Sequence, residues 1–186
     1  MKLQLLAPAK LNLLLHVVGR RADGMHELQT LFRLVDLFDC LTFETAQGGE
    51  IQLAGDMAST ANLTFRAAQL LAARTGCTAG ARITLTKHIP VEAGLGGGSS
   101  DAAATLLGLN AIWGTGLDSS QLEALGLELG ADVPLFVRGA SAFGEGVGER
   151  LTAVQLPMAD YLLVRPDCSV STETVFNDPS LTRNTP

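Results

Sequence analysis

The 186-residue chain has no basic run, no C-x-x-C pair, and no apolar stretch near the roughly 18 residues that a membrane helix needs. Its 13 Lys and Arg stand against 19 Asp and Glu, for a net charge of −6. Nucleic-acid binding draws most of its affinity from Lys and Arg neutralising phosphates, so that class is excluded. Any anionic ligand has to be held by backbone amides and a few chosen cations. Cys40, Cys77 and Cys168 are odd in number and widely spaced, which argues against a disulfide frame or a zinc site and for a reducing compartment. His16, His26 and His88 show no metal-ligand spacing. The N-terminus alternates in polarity instead of presenting the charged and then apolar regions of a secretory signal. The expectation is a soluble cytoplasmic protein without nucleic-acid or membrane partners, a monomer or homodimer.

Lysine is missing where a nucleotide loop commonly needs it. Gly94-Leu95-Gly96-Gly97-Gly98-Ser99-Ser100-Asp101 runs directly into Ala102-Ala103-Ala104. Glycines allow positive φ and close approach of a ligand, and the helix start behind them offers unpaired N–H groups to an anion. A strand-like run, Arg82 to Lys87, precedes the loop and an apolar helix follows, a setting unlike that of a flexible glycine linker. A Walker A loop needs Lys before its final Ser or Thr, and no Lys stands between Pro90 and Arg138. The dinucleotide fingerprint fails because Ser99 takes the place of its last glycine and no βαβ pattern surrounds it. A third type of glycine loop is required, and it places the useful charge far away in sequence.

Periodicity predicts a strand, a short irregular turn at Ala7-Pro8-Ala9-Lys10, and a second strand within Lys2 to Val17. A polar loop with an Asp-Gly turn follows over 19–26. Strands are expected at Leu41–Thr45, Ile51–Leu53, Ser141–Phe143 and Tyr161–Arg165. Helices are expected at Asn62–Arg74, ending on Gly76, from the glycine loop to about Ile112, and at Ser119–Leu129 between Asp118 and Gly130. Strands first, then helices mixed with strands, predict an α+β sandwich. The polar tail from Asp178 to Pro186 reads as a linker.

Lys10 lies in the break between apolar runs, and Asp132 follows Gly130-Ala131. Because Pro134 disfavours helical backbone at Val133, Asp132 is expected in an extended turn. Taken alone, Lys10 is a solvated turn lysine and Asp132 a turn or capping aspartate. Taken together with the loop they supply the parts of a phosphoryl-transfer site. The loop holds a triphosphate, Ser99 or Ser100 ligates Mg²⁺ or phosphate, and a Lys–Asp pair activates an alcohol.

Three ordered motifs resemble those of the GHMP kinase superfamily. They are Pro8-Ala9-Lys10-Leu11-Asn12-Leu13, then Pro90-Val91-Glu92-Ala93-Gly94-Leu95-Gly96-Gly97-Gly98-Ser99-Ser100, then Gly130-Ala131-Asp132-Val133-Pro134. Arg20-Arg21-x-Asp23-Gly24-x-His26-Glu27-Leu28, with Asn177-Asp178-Pro179 and Arg183-Asn184-Thr185-Pro186, is similar to one branch of it. That branch phosphorylates the 2-hydroxyl of 4-diphosphocytidyl-2-C-methyl-D-erythritol with ATP and Mg²⁺ in non-mevalonate isoprenoid synthesis.

The resemblance implies a two-layer N-terminal domain of the ribosomal protein S5 domain 2-like type over 1–160. Residues 161–186 would be a linker and the start of a C-terminal ferredoxin-like domain otherwise absent, which leaves turnover by this chain open. It implies Lys10 and Asp132 as the catalytic pair, Pro90 to Ser100 around the ATP phosphates, and Asn12 near the reacting hydroxyl. His26 would recognise cytosine within an aromatic sandwich. The tyrosine usual before that histidine is Met25 here, whose thioether can still cover a ring face, and Phe176 offers the opposite face. Other GHMP kinases, acting on homoserine or mevalonate, and a nucleotide-binding unit without turnover are the alternatives.

Overall fold

The computed structural model describes residues 1–166 and 172–185. Its elements are β1 (Lys2–Arg20), β2 (His26–Ala46), β3 (Ile51–Gly55), α1 (Leu63–Thr75), β4 (Gly80–Thr86) and α2 (Gly97–Trp113), followed by α3 (Ser119–Leu129), α4 (Val133–Arg138), β5 (Ala142–Gly146), β6 (Arg150–Ala153) and α5 (Thr172–Asn177).

The β1–β2 hairpin is the spine. Its turn closes through Arg21 N–H to Met25 O at 2.8 Å and Gly24 N–H to Arg21 O at 3.0 Å, with Gly24 at φ +87°. The break expected at Ala7–Lys10 is corrected: β1 is one continuous strand. Proline there offers no N–H to the ladder, and the irregularity is taken up in register. Pro8 pairs with Phe38 and Ala9 with Val35, so Asp36 and Leu37 of β2 are left over. β2 likewise runs far beyond the strand expected at Leu41–Thr45.

On its other edge β2 pairs antiparallel with β4 over 40–46 and with β5 over 28–32. β3 lies parallel to β4 and β6 antiparallel to β5, giving the order β3-β4-β2-β5-β6 with β1 beside β2. Helices cover one face, so the expected two-layer α+β sandwich is the observed one.

The helix ends follow local chemistry. Asn62 caps α1 by accepting from Thr64 N–H at 2.9 Å, and Gly76 ends it at φ +66°. Asp118 and Gln121 form a capping box on α3. The central helix, α2, is built for close approach to the sheet, with Ala102, Ala103, Leu106 and Leu109 buried. A Cβ on Gly108 would lie 2.6 Å from the Phe43 ring. Overpacking a core of this kind costs typically about 1–3 kcal/mol, and a branched side chain falls at the high end. Gly108→Val is therefore expected to lower Tm by about 5 °C or more. An unchanged thermal melt would contradict the close α2–β2 packing.

Two further expectations are corrected. Tyr161–Arg165 forms no strand; it is irregular, and Leu162 and Val164 are exposed. No described strand pairs with it, and the segment is tied instead by Arg33, which donates to Pro157 O at 2.7 Å and lies over the Tyr161 ring. Asp132 is not extended but helical (φ −83°, ψ −16°) at the start of α4. Pro134 sits in the first turn, where its missing N–H is no loss, and burial of Val133 to Val137 outweighs the local preference. Cys40 and Cys77 are free thiols; Cys168 lies outside the described residues.

Candidate active site

Lys10 is buried on β1, only 6% exposed. Its backbone N–H donates to Leu95 O at 2.9 Å, which seats the glycine loop on the strand. Its ammonium donates to Asn12 Oδ1 at 2.5 Å and stands 3.6 Å from Asp132 Oδ2, at the start of α4. Lys10 and Asn12, two positions apart, face the same side of the strand. The orientation of Asn12 is set by Thr30, whose fully buried hydroxyl accepts from Asn12 Nδ2 at 2.7 Å and donates to Leu14 O at 2.8 Å. Asp132 makes no side-chain cap on α4, so its carboxylate remains available beside the ammonium.

The glycine loop encloses a cavity of about 330 Å³, lined by Pro90 to Ser99 with Met57, Asn62, Leu63, Lys87 and Asp101. Gly94 and Gly96 both adopt φ +72°, and no side chain caps the start of α2. The first-turn N–H groups and the positive end of the helix dipole are left for an anion. Any Cβ at Gly96 would fall 2.8 Å from the Phe136 ring and 3.1 Å from Lys10 Cγ. The close approach that brings loop and lysine together therefore needs glycine.

The loop carries no lysine within its own residues, as the sequence shows, yet a neighbouring one serves it. Lys87, just before it, reaches its floor and bonds Asp39 and, at 2.7 Å, Asp101. Asp39 is wholly buried and also accepts from the N–H groups of His88 at 2.6 Å and Ile89 at 2.8 Å. Burial pushes the Asp101 carboxyl up to about 7 despite the opposing bond from Lys87, with Asp39 adding to the rise. Burial pulls Lys87 down, but its bonds to Asp101 and Asp39 outweigh that and leave it raised. Asp101 Oδ1 and Ser100 Oγ are buried without a partner among the described residues.

A second cavity, of about 470 Å³, gathers Asn12, Met25, His26, Thr30, Asp132 and Phe176. All four residues expected at the substrate thus line one space together with the expected base. Met25 is half exposed. The aromatic arrangement differs from the expected sandwich, because Phe176 stacks on His26 itself, with centroids 4.9 Å apart and planes at 21°. Ser99 lines both cavities, whereas Ser100 is buried. The tail expected as a linker folds back here, and Arg183 donates to His26 Nε2 at 3.1 Å.

Thr30, Asp39, Lys87, Asp101 and the Arg183–His26 contact are not identified in the sequence reading. Asp39 alone carried a signal, as a lone carboxylate inside the apolar run from Leu37 to Leu41. Among the described residues no group of three His, Cys, Asp or Glu could hold a metal ion, and no helix is long and apolar enough to cross a membrane.

A two-layer domain with a lysine–aspartate pair beside an uncapped glycine loop defines a class. Residues 62–140 match the family described as GHMP kinases N terminal domain. The fold is similar to that of a Methanococcus jannaschii mevalonate kinase, with a TM-score of 0.63 at 14% identity over 83% of this chain and 56% of that one. Closer likeness comes from 4-diphosphocytidyl-2-C-methyl-D-erythritol kinases. One from Bordetella parapertussis is 59% identical over 96% of this chain and 60% of its own length. One from Pseudomonas paraeruginosa is 54% identical over 100% of this chain and 67% of its own. A solved structure of a 4-(cytidine 5'-diphospho)-2C-methyl-D-erythritol kinase has a TM-score of 0.75 at 48% identity, over 83% of this chain and 56% of that one. The chain belongs to this family of GHMP kinases, and it spans about 60% of the length of the Bordetella relative.

Proposed function

We propose that this chain provides the ATP-binding and catalytic-pair domain of a kinase that phosphorylates the 2-hydroxyl of 4-diphosphocytidyl-2-C-methyl-D-erythritol in the cytoplasm. Residues 1–160 correspond to that domain, and 161–186 to a linker and the start of a second one. The observation that carries the reading is the shared wall at Ser99, where the glycine cavity meets the cavity holding Asn12, His26 and Asp132. The loop amides take the triphosphate and the second cavity takes the alcohol.

The substrate hydroxyl oxygen bonds to the γ-phosphorus, the bond from that phosphorus to the β,γ-bridging oxygen breaks, and ADP leaves. The hydroxyl proton passes to Asp132. Lys10, 3.6 Å from that carboxylate, is placed to meet negative charge on the transferring group. Asn12 holds Lys10 in line through the bond that Thr30 orients. Mg²⁺ would enter with the triphosphate, and Ser99, which lines the glycine cavity, is the hydroxyl that would hold it. Bound there, it would neutralise phosphate charge.

A panel of alcohols tests the reading. The cytidyl-diphosphate alcohol is expected to be phosphorylated, and removal of its cytidyl group to lower kcat/KM by about 10²-fold or more, as lost binding energy is lost in the transition state. Equal use of homoserine or mevalonate would overturn it.

A further inference from the structure

We propose that Arg183 is a positioning residue of the base pocket, holding His26 in the tautomer that donates from Nδ1. The inference rests on the cytidyl reading above and names what selects the base.

Arginine carries five donors and no acceptor. Its Nε lies 3.1 Å from His26 Nε2, so Nε2 must be the nitrogen that keeps its lone pair. The ring proton is then on Nδ1, which has no partner among the described residues and belongs to a residue lining the 470 Å³ cavity. Free imidazoles in water favour the other tautomer, with the proton on Nε2. The arginine bond therefore reverses the intrinsic preference.

The rest of the guanidinium fixes where Arg183 stands. Nη2 donates at 2.8 Å to both Phe176 O and Asp178 O, and Nη1 donates to Leu181 O at 3.0 Å. Thr185 N–H then bonds Val17 O on β1 at 3.1 Å. One side chain thus ties the segment carrying Phe176 to the ring on which Phe176 stacks. Burial, and then the charges of Arg183 and Arg20, hold His26 below its ordinary value and favour its neutral form. Loss of that neutrality would remove the acceptor Arg183 needs.

A neutral ring donating from Nδ1 suits a base edge that accepts. Cytosine N3 is an acceptor, whereas uracil N3 carries a hydrogen and would meet Nδ1–H donor to donor. An unpaired, desolvated donor is what a site uses to reject a near-isostere. The preference for cytosine over uracil is thereby set by a residue that need not touch the base.

The test uses this chain with ¹⁵N-labelled histidine, Arg183→Met and Arg183→Lys, and CDP and UDP as probes. In the unsubstituted chain, long-range ¹H–¹⁵N spectra are expected to show His26 protonated on Nδ1. Arg183→Met should move the ring toward the Nε2–H form, weaken CDP by about tenfold and narrow the CDP-to-UDP preference, with ATP affinity unchanged. Arg183→Lys retains one donor and should restore the Nδ1–H signature. An Nε2–H ring in the unsubstituted chain, or an unaltered spectrum in Arg183→Met, overturns the positioning role. An Nδ1–H ring in a chain that binds neither nucleotide overturns the cytidyl reading instead, and leaves the arginine–histidine coupling standing.

Discussion

Asp132→Asn is expected to lower kcat for phosphoryl transfer by about 10²–10⁴-fold, the range a general base contributes, while ATP affinity stays within about twofold. The amide keeps the shape of the carboxylate but cannot take the hydroxyl proton. It also leaves the Lys10 ammonium, now 3.6 Å from Asp132 Oδ2, without its anionic partner. ATP binding should survive because Asp132 is not among the residues lining the glycine cavity. Nor does its side chain cap α4, so the helix should tolerate the change. The comparison is steady-state kcat against ATP affinity by calorimetry, in a form of the protein that turns over. A kcat within a few-fold of the unsubstituted enzyme would remove Asp132 from the chemistry.

Asp39→Ala is expected to produce the largest loss of stability, about 3–5 kcal/mol, the cost of breaking a buried charge pair by deleting one partner. Asp39 is fully buried and receives Lys87 Nζ together with the N–H groups of His88 and Ile89. Its removal strands two backbone donors at the junction between β4 and the loop. It also leaves Lys87 on Asp101 alone, a carboxyl that burial already pushes up to about 7. The glycine loop hangs from this junction, so ATP affinity should fall with stability. Asp39→Asn keeps an oxygen for the two backbone donors and should cost less. Urea titration of the two variants measures the difference, and a loss under about 1 kcal/mol in Asp39→Ala would show that the cluster does not anchor the loop.

Legibility along this chain follows the range of the interactions. The Asn62 and Asp118 caps, the Gly76 terminus and the Asp23-Gly24 turn each satisfy backbone groups within a few residues. Their signals therefore lie inside one short window. The glycine loop is equally local, because positive φ at Gly94 and Gly96 and an uncapped helix start are properties of adjacent residues. Lys10 and Asp132 were legible only through resemblance, for neither has a local mark that separates it from a surface residue.

Misreadings arose where a distant partner overruled a local rule. Pro8 is a strand breaker by local rules, yet β1 continues because β2 absorbs two residues opposite it. Pro134 forbids little once Val133 is buried in the first turn of α4. Lys87 looks like the polar end of a strand until Asp39 and Asp101 close on it from other elements.

Local pattern was thus enough for the α+β sandwich class and for a glycine-rich turn running into a helix whose start no side chain caps. Tertiary packing assigned the rest: which lysine meets which carboxylate, which serine lines both cavities, and which nitrogen of His26 meets Arg183. Helix caps and turns are closed by neighbours in the chain, whereas buried charges must find partners wherever the folded core brings them.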